Sequence, residues 1–174
     1  MTTVLILPGI GGSGPEHWQT RWEQQHREYR RVQMPDWDRP DVDVWVSRLG
    51  AAVAAAPAPV VVVAHSLGCL AVAHYCGRGG RVAAALLVAV PDPAGPEFPE
   101  VARSFAEFPR APLSFPSRVV ASRNDSYGSF EFAQGCARDW GSAFTDVGVA
   151  GHINAESGLG DWSVGQALLA GLLV

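Results

Sequence analysis

The chain has 174 residues, of which 48% are hydrophobic and 17% are charged, and its formal net charge is −4. A chain of this length is expected to form one domain, 1–174, that buries roughly 70% of the surface its unfolded form exposes. The composition excludes a disordered chain, and the negative charge gives no basis for binding nucleic acid or an anionic membrane. All thirteen basic residues are arginine, which excludes a mechanism that depends on lysine.

The chain shows no sign of a targeting segment or of a disulfide framework. Its first residues lack the basic stretch of a secretory signal, and no apolar run reaches the ~20 residues needed to span a bilayer. The three cysteines, Cys69, Cys76 and Cys136, lack CxxC spacing, which is typical of reduced thiols in a cytosol. We therefore expect a cytoplasmic protein with no membrane partner, in which the cysteines pack rather than bind a metal.

Strand-like and helix-like segments alternate along the whole chain. Apolar runs predict strands over 4–7, 31–34, 60–63, 84–90, 118–121 and 143–147. Helical spacing predicts helices over about 16–27, after Asp41 or Asp43, from Leu67 to about 76, from near Ser129, and from about Ser163 to Val174. This alternation predicts an α/β fold in three layers, with a mostly parallel sheet of about six strands and helices on both faces.

The first predicted strand is followed by a glycine-rich loop over 9–14. It fits the G-x-G-x-x-G pattern of dinucleotide-binding domains, and Asp36 and Asp38 follow some two dozen residues later. Against this, Pro15 removes a backbone N–H where the helix would begin, and a small domain leaves little room for a separate substrate site. The loop could instead supply an oxyanion-hole donor, the N–H of Ile10. We prefer the second interpretation and keep dinucleotide binding as the alternative.

The third predicted strand ends in Ala-His-Ser-Leu-Gly over 64–68, directly before a helix. A small-x-Ser-x-Gly segment between a strand and a helix is the pattern of a nucleophile elbow, although Ala64 replaces the commoner glycine. The tight turn lifts the serine hydroxyl out of the sheet, and the helix N-terminus offers a free N–H. We predict Ser66 as the nucleophile and the N–H of Leu67 as the second oxyanion-hole donor.

The segment 91–116, after the fourth predicted strand, carries seven prolines, and its middle part, 101–108, predicts one short helix. An insertion of this length is usually functional in a compact domain. It would lie over the carboxyl edge of the sheet, where α/β proteins bind their ligands. We predict a short lid, and a purely structural excursion is the alternative.

Asp125 follows the fifth predicted strand, and His152 follows the sixth. A serine nucleophile needs a base to accept its proton and an acid to orient that base. In α/β-hydrolases these residues occur in the chain order Ser, Asp or Glu, His, and the acid and the histidine each lie on a loop after a later strand. We predict His152 as the base and Asp125 as the acid, with Asp92 as the alternative acid.

Several residues on the loops predict a modest, aromatic-walled pocket. The predicted lining residues are Gly11, His17, Trp18, Phe105 and Tyr127. Similar loop positions are occupied by Trp37, Phe98 and Phe108. The alternative is that most of these side chains pack in the core. His65, inside the elbow, is expected to point away from the Ser66 hydroxyl.

Four segments, 7–19, 64–68, 121–127 and 151–162, together resemble the small α/β-hydrolases grouped with YdeN-type proteins and retinoblastoma-binding protein nine. The resemblance covers nearly the whole chain, and its last two segments are the most specific. It implies a compact α/β-hydrolase with a small cap and a triad that matches Ser66, His152 and Asp125. It also implies serine-hydrolase activity on small esters or amides.

Animal members of that family are named for binding retinoblastoma protein through an L-x-C-x-E segment, which this chain lacks. The segment 67–71 comes closest but ends in alanine. We therefore expect a small-molecule ester or amide substrate, and no retinoblastoma-type partner. No cofactor or metal is expected, because the predicted acyl transfer needs only side chains, backbone N–H groups and water. A protein-interaction module with a vestigial hydrolase site is the second alternative.

Overall fold

A computed structural model describes residues 2–173 of the chain. Within this range the strands are β1 (Thr3–Leu7), β2 (Tyr29–Arg31), β3 (Val60–His65), β4 (Ala84–Val88), β5 (Ser117–Ala121) and β6 (Ala143–Asp146). The α-helices are α1 (Trp18–Gln25), α2 (Val42–Ala55), α3 (Leu67–Gly77), α4 (Phe130–Trp140) and α5 (Ser163–Ala170). Short 3₁₀ helices cover Ile10–Gly12, Glu100–Phe105 and Ala155–Ser157. Val174, the last residue of the predicted terminal helix, lies outside the described residues.

The six strands form one open sheet in the order β2-β1-β3-β4-β5-β6, and every neighbouring pair is parallel. The central pairing of β1 with β3 runs from Thr3 opposite Val60 to Leu7 opposite Ala64. Because all strands run the same way, the loops that follow them meet at a single edge of the sheet. The predicted α/β fold with a parallel sheet is confirmed.

Alternate residues of the buried strands pack into two separate layers. On β3, Val61 and Val63 belong to the cluster that contains Trp18 and Trp22 of α1, together with Leu169 of α5. The residues between them, Val60 and Val62, belong to the cluster formed with α2, α3 and α4. Burial on both faces explains why this strand is an uninterrupted valine run rather than an alternating pattern.

Several predicted elements differ from the structure in their bounds, among them the first helix and the second strand. The first helix was expected over 16–27 but covers Trp18–Gln25, because His17 is its N-cap and His26 already has an extended backbone. The second strand was expected over 31–34 but covers Tyr29–Arg31. Its pairing with β1 ends at Ile6 opposite Arg31, and the apolar residues beyond it, Val32 and Met34, are buried in the core.

The segment 91–116 connects β4 to β5, and a large part of it packs on the core. Its regular part is a 3₁₀ helix over Glu100–Phe105 instead of the helix expected over 101–108. Ala102 and Phe105 are buried, and the Phe105 ring makes an edge contact with Trp45 of α2, with centroids 5.5 Å apart. The function of this segment as a lid stays a prediction.

None of the helices described in the structure has both the length and the apolar character needed to cross a bilayer. The cysteines are unpaired, with Cys69 and Cys136 buried and Cys76 half-buried.

Candidate active site

Ser66 sits in a strained turn between β3 and α3. Its backbone has φ 53° and ψ −123°, a conformation that non-glycine residues rarely adopt and that is common at functional sites. Its N–H donates to the carbonyl of Val88 on β4 at 2.9 Å, which ties the turn to the sheet. A Cβ atom at Gly68 would lie 2.5 Å from the carbonyl oxygen of Leu7, so only glycine lets α3 approach β1 this closely. The sequence pattern of the elbow therefore has a direct steric cause.

His152 lies on the loop after β6 and joins the other two predicted residues. Its Nε2 is 2.9 Å from the Ser66 hydroxyl, and its Nδ1 is 2.9 Å from each carboxylate oxygen of Asp125. The side chains of His152 and Asp125 are only 10% and 2% exposed. With the proton on Nδ1, the imidazole donates to the carboxylate and accepts the serine O–H, so one neutral tautomer satisfies both contacts.

Asp92, the alternative acid, makes a different contact. Its Oδ1 accepts the backbone N–H of Ala94 at 2.9 Å, in a local turn. Asp125 Oδ1, in contrast, accepts the N–H of Tyr127 at 2.9 Å as well as contacting His152. The geometry therefore favours Asp125 over Asp92 as the residue that orients the imidazole.

Ser122 and Asn124 connect the loop that carries Asp125 to the loop that carries His152. The hydroxyl of Ser122 donates to the Asn124 side-chain oxygen at 2.9 Å and accepts the N–H of Ala150 at 2.9 Å. The same Asn124 oxygen accepts the N–H of Gly151 at 2.8 Å. These contacts fix the two residues before His152. Sequence reasoning missed them because a Ser-x-Asn spacing resembles any polar turn.

Two other side chains, those of His65 and Trp18, donate hydrogen bonds to the backbone of the His152 loop. His65 Nε2 donates to the carbonyl of His152 at 2.9 Å, and Trp18 Nε1 donates to the carbonyl of Ile153 at 2.8 Å. Burial, with His17 and His152 nearby, holds the pKa of His65 well below its ordinary value, so the ring is neutral at pH 7. His65 thus contacts the backbone of the predicted base, a role that its position in the elbow did not suggest.

The glycine loop lies directly against Ser66. A Cβ atom at Gly9 would be 2.9 Å from Cβ of Ser66 and 3.3 Å from the backbone N of Leu67. The N–H groups of Ile10 and Leu67 donate to no acceptor within residues 2–173, which is the condition expected of oxyanion-hole donors. In addition, α1 begins only at Trp18, so no helix N-terminus directly follows the loop as a dinucleotide site requires.

Arg31, at the end of β2, forms hydrogen bonds with the backbone of this loop. Its Nη1 donates to the carbonyls of Gly12 and Ser13, while Nη2 donates to the Thr20 hydroxyl at 2.7 Å. The guanidinium also pairs with Glu23 of α1, at 3.0 Å from Nε to the nearer carboxylate oxygen. A planar guanidinium suits such a cluster of acceptors. Sequence reasoning did not single out Arg31, because its partners come from other elements.

A cavity of about 550 Å³ opens over Ser66. The lining residues around the reacting groups are Gly9, Ile10, Gly11, Ser13, Gly14, His17, His65, Leu67, Pro91, Glu97, Phe98, Pro99, Val101, Tyr127, Asn154, Ala155 and Glu156. Of the predicted lining residues, Gly11, His17 and Tyr127 are among them. Trp18 and Phe105 are not, which corrects those two predictions: Trp18 is buried against Trp22 and Trp162, and Phe105 is buried against Trp45 of α2.

His17 is a buried wall of the cavity. Its Nδ1 accepts the N–H of Gln19 at 3.2 Å, which caps α1, and its Nε2 has no partner within the described part of the chain. Burial, followed by the charges of Arg31 and His152, lowers the pKa of His17 to about 4. The residue is therefore a neutral group beside the site at pH 7.

A parallel sheet with a serine elbow after a central strand, and a histidine and a carboxylate on later loops at the same edge, defines an α/β-hydrolase. The chain matches the family model described as serine hydrolase over residues 4–171, and it belongs to that family.

Solved structures agree with this assignment. A YdeN-like hydrolase from Pectobacterium atrosepticum is 36% identical, with a TM-score of 0.89, covering 99% of this chain and 90% of the other. The ydeN gene product of B. subtilis is 20% identical, with a TM-score of 0.83 and coverage of 99% and 98%. An esterase from Thermogutta terrifontis shares the fold at 16% identity, with a TM-score of 0.69 and coverage of 99% and 89%. The predicted resemblance to YdeN-type hydrolases is confirmed.

A search of curated proteins gave no significant match. Among residues 2–173, no group of three or more His, Cys, Asp or Glu side chains is arranged to hold a metal ion.

Proposed function

We propose that this serine hydrolase cleaves small carboxylic esters or amides through an acyl-enzyme on Ser66. The observation that carries the proposal is the unbroken series of contacts from Asp125 through His152 to Ser66, each 2.9 Å long. In this proposal His152 is the general base and then the general acid, and Asp125 holds its tautomer and stabilises the imidazolium.

The first half of the reaction forms the acyl-enzyme. Oγ of Ser66 attacks the carbonyl carbon while its proton moves to Nε2 of His152, and the carbonyl oxygen becomes an oxyanion. The N–H groups of Ile10 and Leu67 stabilise that charge. The tetrahedral intermediate then collapses, the bond to the leaving alcohol or amine breaks, and His152 returns the proton to it.

The second half repeats these steps with water. His152 takes a proton from a water molecule, the resulting hydroxide attacks the acyl carbon, and the same two N–H groups hold the oxyanion. Collapse breaks the bond to Oγ of Ser66, which recovers its proton from His152, and the carboxylic acid leaves. In the proposed cycle Ser66 supplies the nucleophile, His152 carries every proton, and water completes the hydrolysis. No step therefore requires a cofactor.

Two further features support the substrate class and the compartment. A cavity of about 550 Å³ is in the range of sites for small molecules, and its apolar wall includes Phe98 and Val101. The three unpaired cysteines suit a reducing compartment. We accordingly infer that the protein acts on small molecules in the cytoplasm.

The test is covalent labelling with a fluorophosphonate, followed by intact-mass measurement. We expect one label per chain in the wild type and none in Ser66→Ala. Ser126→Ala removes an exposed serine beside Asp125 and should label like the wild type, which controls for reaction at other hydroxyls.

Two results would contradict the proposal. A folded wild-type protein that is not labelled would show that Ser66 is not activated, and stabilisation by NAD would then favour the dinucleotide alternative. Labelling without turnover of any ester or amide in a broad panel would favour the vestigial site of an interaction module.

A further inference from the structure

The ring of Tyr127 lies against the imidazole of His152. Their centroids are 4.4 Å apart and their planes are tilted by 38°. The backbone of Tyr127 is fixed at both of its polar groups: its N–H donates to Asp125 Oδ1 at 2.9 Å, and its carbonyl accepts the N–H of Asp92 at 2.8 Å. The ring is therefore held beside His152 by the same loop that supplies the acid.

An aromatic face attracts a cation whose centre lies within about 6 Å of the ring, and the attraction grows when water is excluded. In the proposed mechanism His152 becomes a cation each time it accepts a proton. We propose that Tyr127 stabilises this imidazolium through the face of its ring, as a second group beside Asp125. The inference rests on the proposed function and adds to it a residue that acts on the base itself.

Other groups around His152 cannot supply the same stabilisation. The titratable and charged neighbours, from the loops and elements packed around it, are Asp125, His65, His17, Glu97 and Glu156. Asp125 acts at the Nδ1 edge of the imidazole and not at its face. The other ring in contact with it within the described residues is His65, at 5.0 Å and 58°, and that ring is committed to donating to the carbonyl of His152. Glu97 and Glu156 are exposed, and neither carboxylate forms a hydrogen bond or an ion pair with the His152 ring within the described residues.

The test is the pH profile of kcat/KM, whose acidic limb reports protonation of the base in the free enzyme. Tyr127→Leu removes the ring, so the protonated base loses stabilisation. We expect kcat/KM on its plateau to fall about 3- to 30-fold and the acidic limb to move to lower pH by about 0.5 to 1.5 units. Tyr127→Phe retains the aromatic face, and its limb should stay at the wild-type position.

A shape-preserving substitution separates electrostatics from packing. Trifluorophenylalanine at position 127 is close to phenylalanine in size but withdraws negative charge from the ring face. The acidic limb of this variant's pH profile should therefore move in the same direction as that of Tyr127→Leu. The matched control is Tyr29→Leu, which removes another tyrosine ring that stacks on a histidine, His26, with centroids also 4.4 Å apart and away from the cavity. Its profile should match that of the wild type.

A lower rate with an unmoved limb in both Tyr127→Leu and the fluorinated variant would overturn the inference, because the ring would then only position or shield the imidazole. An unchanged rate and limb would overturn it as well. Fluorophosphonate labelling of the same samples separates these results from failure of the proposed function: an unlabelled wild type overturns both proposals, whereas labelling of every variant restricts the failure to Tyr127. Thermal unfolding of each variant confirms that a folded enzyme was measured.

Discussion

Asp125 contacts His152 with both carboxylate oxygens at 2.9 Å, and its side chain is almost completely buried. A buried carboxylate in this position can both fix the imidazole tautomer and compensate the positive charge that develops on it. Asp92 also follows a strand at the same edge but is used in a local turn with Ala94. At the scale of single residues, the two acids are therefore expected to differ strongly in function.

Asp125→Asn should lower kcat by up to ~10⁴, because an amide can favour the wrong tautomer of His152 and cannot compensate its charge. Asp92→Asn is the matched change at the rival position and should reduce kcat by less than about tenfold. Steady-state kinetics on an activated ester measure both variants. An inactive Asp92→Asn beside a nearly normal Asp125→Asn would contradict the assignment of the acid.

His17 predicts a pH dependence of stability. Its pKa is about 4 in the folded state and about 6.5 in a solvated chain, so between these values the unfolded state binds a proton that the native state does not. The free energy of unfolding therefore falls as pH drops through this window, by about 2 kcal/mol at pH 5 from this residue alone.

His17→Asn should remove that contribution while keeping a good N-cap for α1. The free energy of unfolding is measured in urea at pH 7 and at pH 5. Its decrease between the two pH values should be smaller by about 2 kcal/mol in this variant than in the wild type. His26→Asn makes the same substitution at a partly exposed histidine at the other end of α1 and is the matched control. Equal losses in the wild type and His17→Asn would refute the prediction.

At the scale of elements, the glycine loop depends on β2 and α1 for its position. Arg31 reaches from the end of β2 to two carbonyls of the loop and to Thr20 and Glu23 on α1. Its side chain is 18% exposed, so removing it would leave loop carbonyls and Glu23 without their partner in a poorly solvated place. The proposed role of the Ile10 N–H as an oxyanion-hole donor is thus expected to depend on this arginine.

Arg31→Met should reduce kcat by about 10- to 100-fold with a smaller change in KM, because a displaced oxyanion donor weakens binding of the transition state. Arg103→Met is the matched control, since Arg103 forms an exposed ion pair with Glu100 and should contribute little. Ester kinetics and thermal unfolding of both variants check this. A lowered melting temperature with an unchanged kcat would mean that Arg31 contributes only to stability.

At the scale of the whole molecule, the parallel sheet brings loops from distant parts of the chain to one edge, and the cavity there has an unequal charge. Glu97 and Glu156 line it, whereas no arginine among the described residues does. Neither glutamate forms an ion pair within residues 2–173. An anionic substrate would therefore meet uncompensated negative charge, while a cationic one would be attracted.

A trimethylammonioethyl ester should have a kcat/KM roughly 3- to 10-fold higher than its uncharged dimethylbutyl analogue, and a carboxylate-bearing ester should be correspondingly slower. The difference should shrink in 0.5 M salt and in the Glu97→Gln, Glu156→Gln double variant. Glu107→Gln changes an exposed residue outside the cavity and should leave the difference in kcat/KM between the esters unaltered. Equal kcat/KM values for the three esters would contradict this interpretation.

Local patterns were sufficient for much of the fold. The valine run of β3 followed by Ala-His-Ser-Leu-Gly predicted the elbow, because a buried strand, a tight turn and a crowded helix each restrict residue type locally. The expected lining by Trp18 and Phe105 was wrong, because an aromatic residue in a loop sequence can turn equally well toward a cavity or toward the core. Only the packing of α1 against α5, and of segment 91–116 against α2, decides between these directions.

The sequence by itself determined the order of strands and helices, the parallel sheet that this order requires, and the presence of Ser66, Asp125 and His152 after the third, fifth and sixth strands. Their catalytic roles stay predictions. The tertiary structure decided which side chains surround them: Tyr127 beside the imidazole, His65 on the carbonyl of His152, and Arg31 on the glycine loop. The physical reason is that secondary structure follows from periodicity along the chain. Contacts between residues far apart in the sequence, such as Trp18 and Ile153 at 135 positions apart, in contrast, depend on how all the elements pack together.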